Sequence, residues 1–205
     1  MDHAKARLEL WAIILISVAS VLSAWCAYQS ARWSNASSQA YSRASARRIE
    51  SLRQSGIASR QTMVDINLFV AYESALSSKN EAFAAFLIKR FPERLRVAVT
   101  AWEATQPRTT STAPSSPFVM NQYHLDSQDQ ADALESQAET FFKTGVDANQ
   151  NGNRYVLLTV LFASVSFLAG VGSKFESRKI VLTALVLGSI VLVTAIAVLA
   201  THPIF

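Results

Sequence analysis

The ionisable side chains best spaced for chemistry are His124, Asp126, Asp129, Asp132, Glu135 and Glu139. Three-residue steps hold successive carboxylates near one face of a helix, and such a row suits a hard cation with oxygen ligands. The segment lacks the alternating ligands and central glycine of a calcium loop. Acidic residues at a helix start also complement the dipole and cap free N–H groups, and that is the role expected of these. The other candidates are sparser. His3 and His202 are far from His124, and no His-Glu-x-x-His, Gly-x-Ser-x-Gly, Walker or dinucleotide glycine pattern occurs. The single cysteine, Cys26, lies in an apolar run without an adjacent activating cation, so it is expected to pack rather than react. The sequence therefore nominates no catalytic residue, no metal ligand set and no cofactor. An Asn35-Ala-Ser sequon matters only in a eukaryotic secretory route.

What must position these residues is set by three uncharged apolar stretches, Leu10–Ala31, Tyr155–Ser173 and Ile180–Thr201. Each approaches the ~20 residues with which a helix crosses ~30 Å of hydrocarbon. The expected fold is an all-α membrane protein: three transmembrane helices plus an extramembrane helical bundle continuous with the spans. Residues 1–31 form the tail and first span, 32–153 the extramembrane domain, and 154–205 a hairpin with helices at about 155–173 and 180–201. Trp25 spoils both a lipoprotein signal ending at Cys26 and a cleavage site ending at Ala27, so the first span is expected to be retained as an anchor. Trp11, Trp25 and Tyr28 are its expected interface anchors.

Charge reports orientation. Between Ser30 and Asn153 thirteen Lys/Arg face twelve Asp/Glu, so the formal +4 comes mainly from Lys5, Arg7, Arg154, Lys174, Arg178 and Lys179 beside the spans. That is no nucleic-acid footprint. An N-terminus inside puts both short basic segments in the cytoplasm and residues 32–153 outside, although Arg32, Arg43, Arg47 and Arg48 oppose it. The spans hold no acidic or basic side chain, which disfavours proton relays and active transport but leaves a hydroxyl-lined pore open.

Within the polar segment, residues 29–60 lack proline and should continue the first helix outward. Ala36, Ala40 and Ala44, beside Ser34, Ser38 and Ser42, either pack on the chain itself or associate with another copy. Small residues four apart in the spans (Ser20/Ala24, Ser23/Ala27, Ser166/Gly170, Ala184/Gly188) leave the same choice. The Val64/Leu68/Tyr72/Leu76 and Phe83/Phe86/Leu87 recurrences predict a helical run that Pro92 ends. Leu95, Val99 and Trp102 mark the face of the next helix. Leu68, Phe86 and Trp102 are expected to support the outer core. Gln106–Gln122, with Pro107, Pro114 and Pro117, is a loop, either a mobile strap or packed through Phe118, Val119 and Tyr123. A last amphipathic helix presents Leu134, Ala138, Phe141 and Phe142, and Asn149–Asn153 is expected to break it before the membrane.

Trp25-Cys-Ala-Tyr28-Gln29-Ser-Ala-Arg32-Trp33, the run into Arg47-Arg48-Ile49-Glu50, Phe86, Lys89-Arg90-Phe91-Pro92, Trp102 to Pro107 and Pro117-Phe118 to Tyr123 carry a resemblance. The chain resembles an uncharacterised family of small bacterial membrane proteins with one N-terminal span, a helical middle and a C-terminal hairpin. The resemblance implies a bacterial inner-membrane setting and no activity. The expected role is a non-enzymatic, membrane-anchored interaction or scaffold module of the envelope. Its partners are the lipid bilayer, an envelope protein and further copies through small-residue helix faces, and not nucleic acid. A channel subunit is the alternative, and an enzyme with an unrecognised site built on Asp126 and Glu135 comes third.

Overall fold

The computed structural model describes residues 3–172, 175 and 177–205. It is all-α, and no strand occurs among the described residues. The elements are α1 (His3–Ser77), α2 (Glu81–Ile88), α3 (Glu93–Glu103), a 3₁₀ turn (Pro117–Val119), α4 (Asp126–Gly172) and α5 (Arg178–Leu199). α1, α4 and α5 are long and apolar enough to cross a membrane. The expected second-span end at Ser173 and the flanking Lys174 lie outside the described residues. The chain divides into two compact units, residues 1–44 with 140–205, and residues 45–139.

The first unit holds the spans. Ala12, Leu15, Ala19 and Cys26 of α1 pack with Tyr155, Leu158, Phe162, Val165 and Ala169 of α4 and with Leu185, Leu192 and Ala195 of α5. The remaining faces expose Ile13, Val21, Leu157, Phe167, Ile190 and Val193, an apolar exterior that hydrocarbon solvates and water would not. Ser20, Ala24 and Ala27 face outward, whereas Cys26 and Ala19 are the small side chains at the seam. At the hairpin, a Cβ on Gly172 would sit 2.7 Å from the Ala184 Cβ, so only glycine fits that approach.

Beyond the first span, Ser37, Ala40 and Ala44 are buried against the protein's own chain, while Ser34, Ser38 and Ser42 are exposed or half-exposed. The Ser37 hydroxyl donates to the Gly145 carbonyl at 2.9 Å, and the Tyr41 ring lies on the missing side chain of Gly145, 2.7 Å from where a Cβ would stand. The expected break at Asn149–Asn153 does not occur. α4 runs straight through it, and Gly152 is buried there in ordinary packing contact with α1, its Cβ position 3.5 Å from Trp33 Cβ and 3.6 Å from the Ser30 carbonyl. Poor local helix propensity yields here to packing against α1. The last residues return to this surface: the Tyr155 hydroxyl donates to the Pro203 carbonyl, and the Phe205 N–H donates to Gln29 Oε1.

The second unit is a smaller bundle. Leu87, Phe91, Leu95 and Val99 are its buried centre, with Leu68, Phe69, Tyr72 and Phe118 packed against them. The helical run expected through Val64 to Leu87 and ended by Pro92 is interrupted. Lys79 takes a left-handed φ of 56°, Asn80 N–H reaches the Ala75 carbonyl and Lys79 N–H the Leu76 carbonyl, which closes α1 as a Schellman motif. Asn80 then caps α2 by accepting from Phe83 N–H at 3.1 Å. α3 starts after Pro92 and buries Leu95, Val99 and Trp102 as its periodicity predicts. Phe86, expected in the core, is instead exposed beside Phe83, with the Arg90 guanidinium 3.7 Å from its ring centre. α2 has only two turns, and Ala84 and Leu87 take its buried side.

Candidate functional site

The Pro/Ser/Thr loop closes over the second unit rather than leaving it. The Trp102 indole N–H donates to the Pro114 carbonyl at 2.7 Å, and Phe118 meets Phe69 and Tyr123 edge-on. Val119 takes no part in this packing and points outward. Arg108 bonds both Glu103 and Glu73, tying the loop's first turns to α3 and α1. The hydrogen bonds to Glu103, ahead of every other influence, hold its guanidinium protonated above its ordinary range.

Beneath the loop lies a buried ion pair. Asp65 is fully buried and accepts two bonds from Arg94, at 2.7 and 3.2 Å, and one from the Tyr123 hydroxyl at 2.9 Å. Burial, first, pushes the Tyr123 phenol above its usual range. A cleft of about 410 Å³ opens beside the pair, lined by Arg94, Gln61, Gln122, His124 and Ser127 among others.

Several polar groups in and beside this cleft are already engaged. Both acceptors of Asp65 are filled, and the Ser127 hydroxyl donates to the Gln61 amide oxygen, which accepts no proton. His124 sits 2.8 Å from Asp129 and 3.7 Å from Asp126. The acidic row nominated by spacing is dispersed in the same way. Asp132 accepts from Gln128, Glu135 pairs with Arg48, and Glu139 is also partnered. No group of three His, Cys, Asp or Glu side chains converges on a metal position among the described residues.

Asp65 and Arg94 are the site residues that sequence reasoning missed. Asp65 shares the face of Leu68, Phe69 and Tyr72 at i, i+3, i+4 and i+7, so the stripe that packs is turned one residue from the Val64/Leu68/Tyr72 reading, and Val64 is exposed. A lone carboxylate inside an apolar run was the available signal, and the basic side chain needed to hold it is Arg94.

The outward face of the unit differs from the cleft. Ile49, Leu52, Met63, Ile66 and Val70 of α1 are between 41% and 68% exposed, the largest values being 68% at Leu52 and 67% at Met63. Such a row on water-facing helix is uncommon unless something covers it. No family model, no curated protein and no solved structure matches the chain. What fold and surface define is an all-α membrane protein with three candidate spans and a small second bundle.

Proposed function

We propose that the protein is a membrane-anchored interaction module, non-enzymatic, that holds a helical partner through the outward face of its second unit. The observation that carries this reading is the exposed row Ile49, Leu52, Met63, Ile66 and Val70 on α1. The buried polar groups of the same unit support it, because they are satisfied internally in pairs and leave the apolar row as the surface with unmet demand. The hydroxyls of the spans favour packing over pore lining: those of Thr159, Ser164, Ser166, Thr183, Ser189 and Thr194 each donate to the carbonyl four residues earlier in their own helix.

The resemblance supports a bacterial inner-membrane setting. The short basic flanks Lys5, Arg7, Arg178 and Lys179, all exposed, support a cytoplasmic N-terminus with residues 32–153 outside. The test is to place two charges in the row, Leu52→Glu with Ile66→Glu, and follow the complex from native membranes by sizing in mild detergent. The reading expects a shift to a smaller species with circular dichroism unchanged. An unchanged size distribution would overturn it.

A further inference from the structure

The three spans share one membrane edge, and polar side chains are buried at it. Gln29 stands near the end of the first apolar stretch, Tyr155 opens the second, and residues 201–205 leave the third and fold back over α1. The Phe205 N–H donates to Gln29 Oε1 at 3.0 Å, and the Tyr155 hydroxyl donates to the Pro203 carbonyl at 3.0 Å. The Phe205 ring meets the Trp33 ring edge-on with centres 5.0 Å apart, and the Arg32 guanidinium carbon is 4.7 Å from the centre of the same Phe205 ring. Gln29, Arg32 and Trp33 of α1 therefore gather around one residue of the returning segment. The exposed rings of Trp25 and Tyr28, just before them on α1, mark this edge as the headgroup level.

Donors outnumber acceptors in this cluster. Gln29 is 1% exposed, and its oxygen is committed to the Phe205 N–H, which fixes the amide's orientation and leaves Nε2 as the unused group. Neither Gln29 Nε2 nor the Trp33 indole N–H has an acceptor among the described residues, and both atoms are buried. A donor buried in this way is costly, and folded chains rarely leave one. Gln29 and Trp33 are four residues apart, so the two unused donors lie on one face of α1. Arg32, exposed beside them, adds a full positive charge. The segments that build the cluster, residues 10–49, 148–172 and 177–205, contain no Asp or Glu. What complements them is an oxyanion.

We propose that Gln29, Arg32 and Trp33 form a seat for the phosphate of a membrane phospholipid, and that residues 201–205 are the displaceable strap that covers it. The two buried donors are closed to any outside group while Phe205 is in place. Ile204 and Phe205 are themselves largely exposed, so little apolar burial holds the strap down. With Phe205 lifted, phosphate oxygens accept from Gln29 Nε2 and the Trp33 indole, and Arg32 supplies charge-assisted bonds. The height of the seat selects the lipid as the source: it lies where the spans end, at the level at which a bilayer presents its phosphates. Strap and phosphate compete for the Arg32 guanidinium, so each weakens the other.

The test uses full-length protein freed of phospholipid in a maltoside detergent and phosphate-free buffer. Short-chain phosphatidylglycerol is titrated in while the Trp33 indole proton is followed by NMR, assigned as the resonance missing from Trp33→Phe. The seat predicts a saturable shift of that resonance. Phe205→Ala, which removes the ring held by Arg32 and Trp33, should tighten binding about threefold, the worth of one exposed cation–π contact. Arg32→Gln, made in the Phe205→Ala background so that the strap is equally free, should weaken binding about tenfold, the worth of one hydrogen bond to a charged group. Both side chains are exposed, so the fold does not depend on them. A resonance that stays still, as it would if the buried donors held only a water, overturns the proposal. So does an equal shift with a glycolipid that has no phosphate, or an affinity that neither variant changes. An equal response to inorganic phosphate overturns the lipid as the source.

Discussion

Replacing Asp65 by alanine should loosen the second unit more than any other single polar substitution. The carboxylate is fully buried and receives three hydrogen bonds, two from a guanidinium and one from a phenol. Breaking a buried pair by removing one member costs ~3–5 kcal/mol, because the remaining charge is stranded. Arg94 keeps 27% of its side chain exposed, so water can partly resolvate it and the lower end, about 3 kcal/mol, applies. The readout is amide hydrogen exchange of α3 in full-length protein in detergent. At 1.4 kcal/mol per tenfold, Leu95 to Val99 should exchange roughly a hundredfold faster or more. Asp65→Leu combined with Arg94→Met should recover much of the loss, since a well-packed apolar pair replaces the ionic one without stranding a charge. A change below ~0.5 kcal/mol for Asp65→Ala would refute the reasoning, placing the pair among ordinary surface substitutions.

Three further outcomes follow from other parts of the molecule. Gly145→Ala drives a methyl group into the Tyr41 ring, itself 5.6 Å from Phe142, and should cost ~1–3 kcal/mol in thermal stability, with Tyr41→Ala relieving the clash. Equal stability of Gly145→Ala and wild type would show that the ring is free to move aside. Tyr123 binds its proton more tightly in the folded state than unfolded, so its contribution is complete below the unfolded value of about 10 and is lost as pH rises through the raised folded one. Stability measured from pH 9 to 12 should therefore fall less steeply for Tyr123→Phe, and parallel curves would contradict the assignment. Thr112→Cys with Cys26→Ala, labelled by an impermeant maleimide on intact cells, should react if residues 32–153 are extracytoplasmic; labelling only after permeabilisation reverses the topology.

The parts legible in the sequence were those governed by solvent and by local breakers. Runs without charge marked the three spans, the lack of proline carried α1 past the first of them, and Pro92 with Leu95, Val99 and Trp102 placed α3. Tertiary contacts decided the rest. Asn149–Asn153 has the composition of a helix end, yet the helix continues there, with Gly152 buried against Trp33 and Ser30 of α1. Nothing in the Phe83/Phe86/Leu87 pattern foretells that a two-turn helix buries only one side, leaving Phe86 to Arg90. Asp65 defeated periodicity because a charged residue in an apolar stripe reads as outward-facing until Arg94 and Tyr123 are found beside it. The Ala36/Ala40/Ala44 spacing left both packing on the chain and association with another copy open; Ala40 and Ala44 prove to be buried within the chain, and the larger Ile49, Leu52 and Met63 are left exposed.

The most direct measurement is a photo-crosslinking scan along α1 from residue 45 to 72, one position at a time, in native membranes. An interaction through the outward row predicts adducts that peak at 49, 52, 63, 66 and 70 and vanish at 51, 58 and 65, a periodicity of about 3.5 residues. Adducts without that period, or none above the level found at the exposed, polar Gln137 of α4, would contradict it.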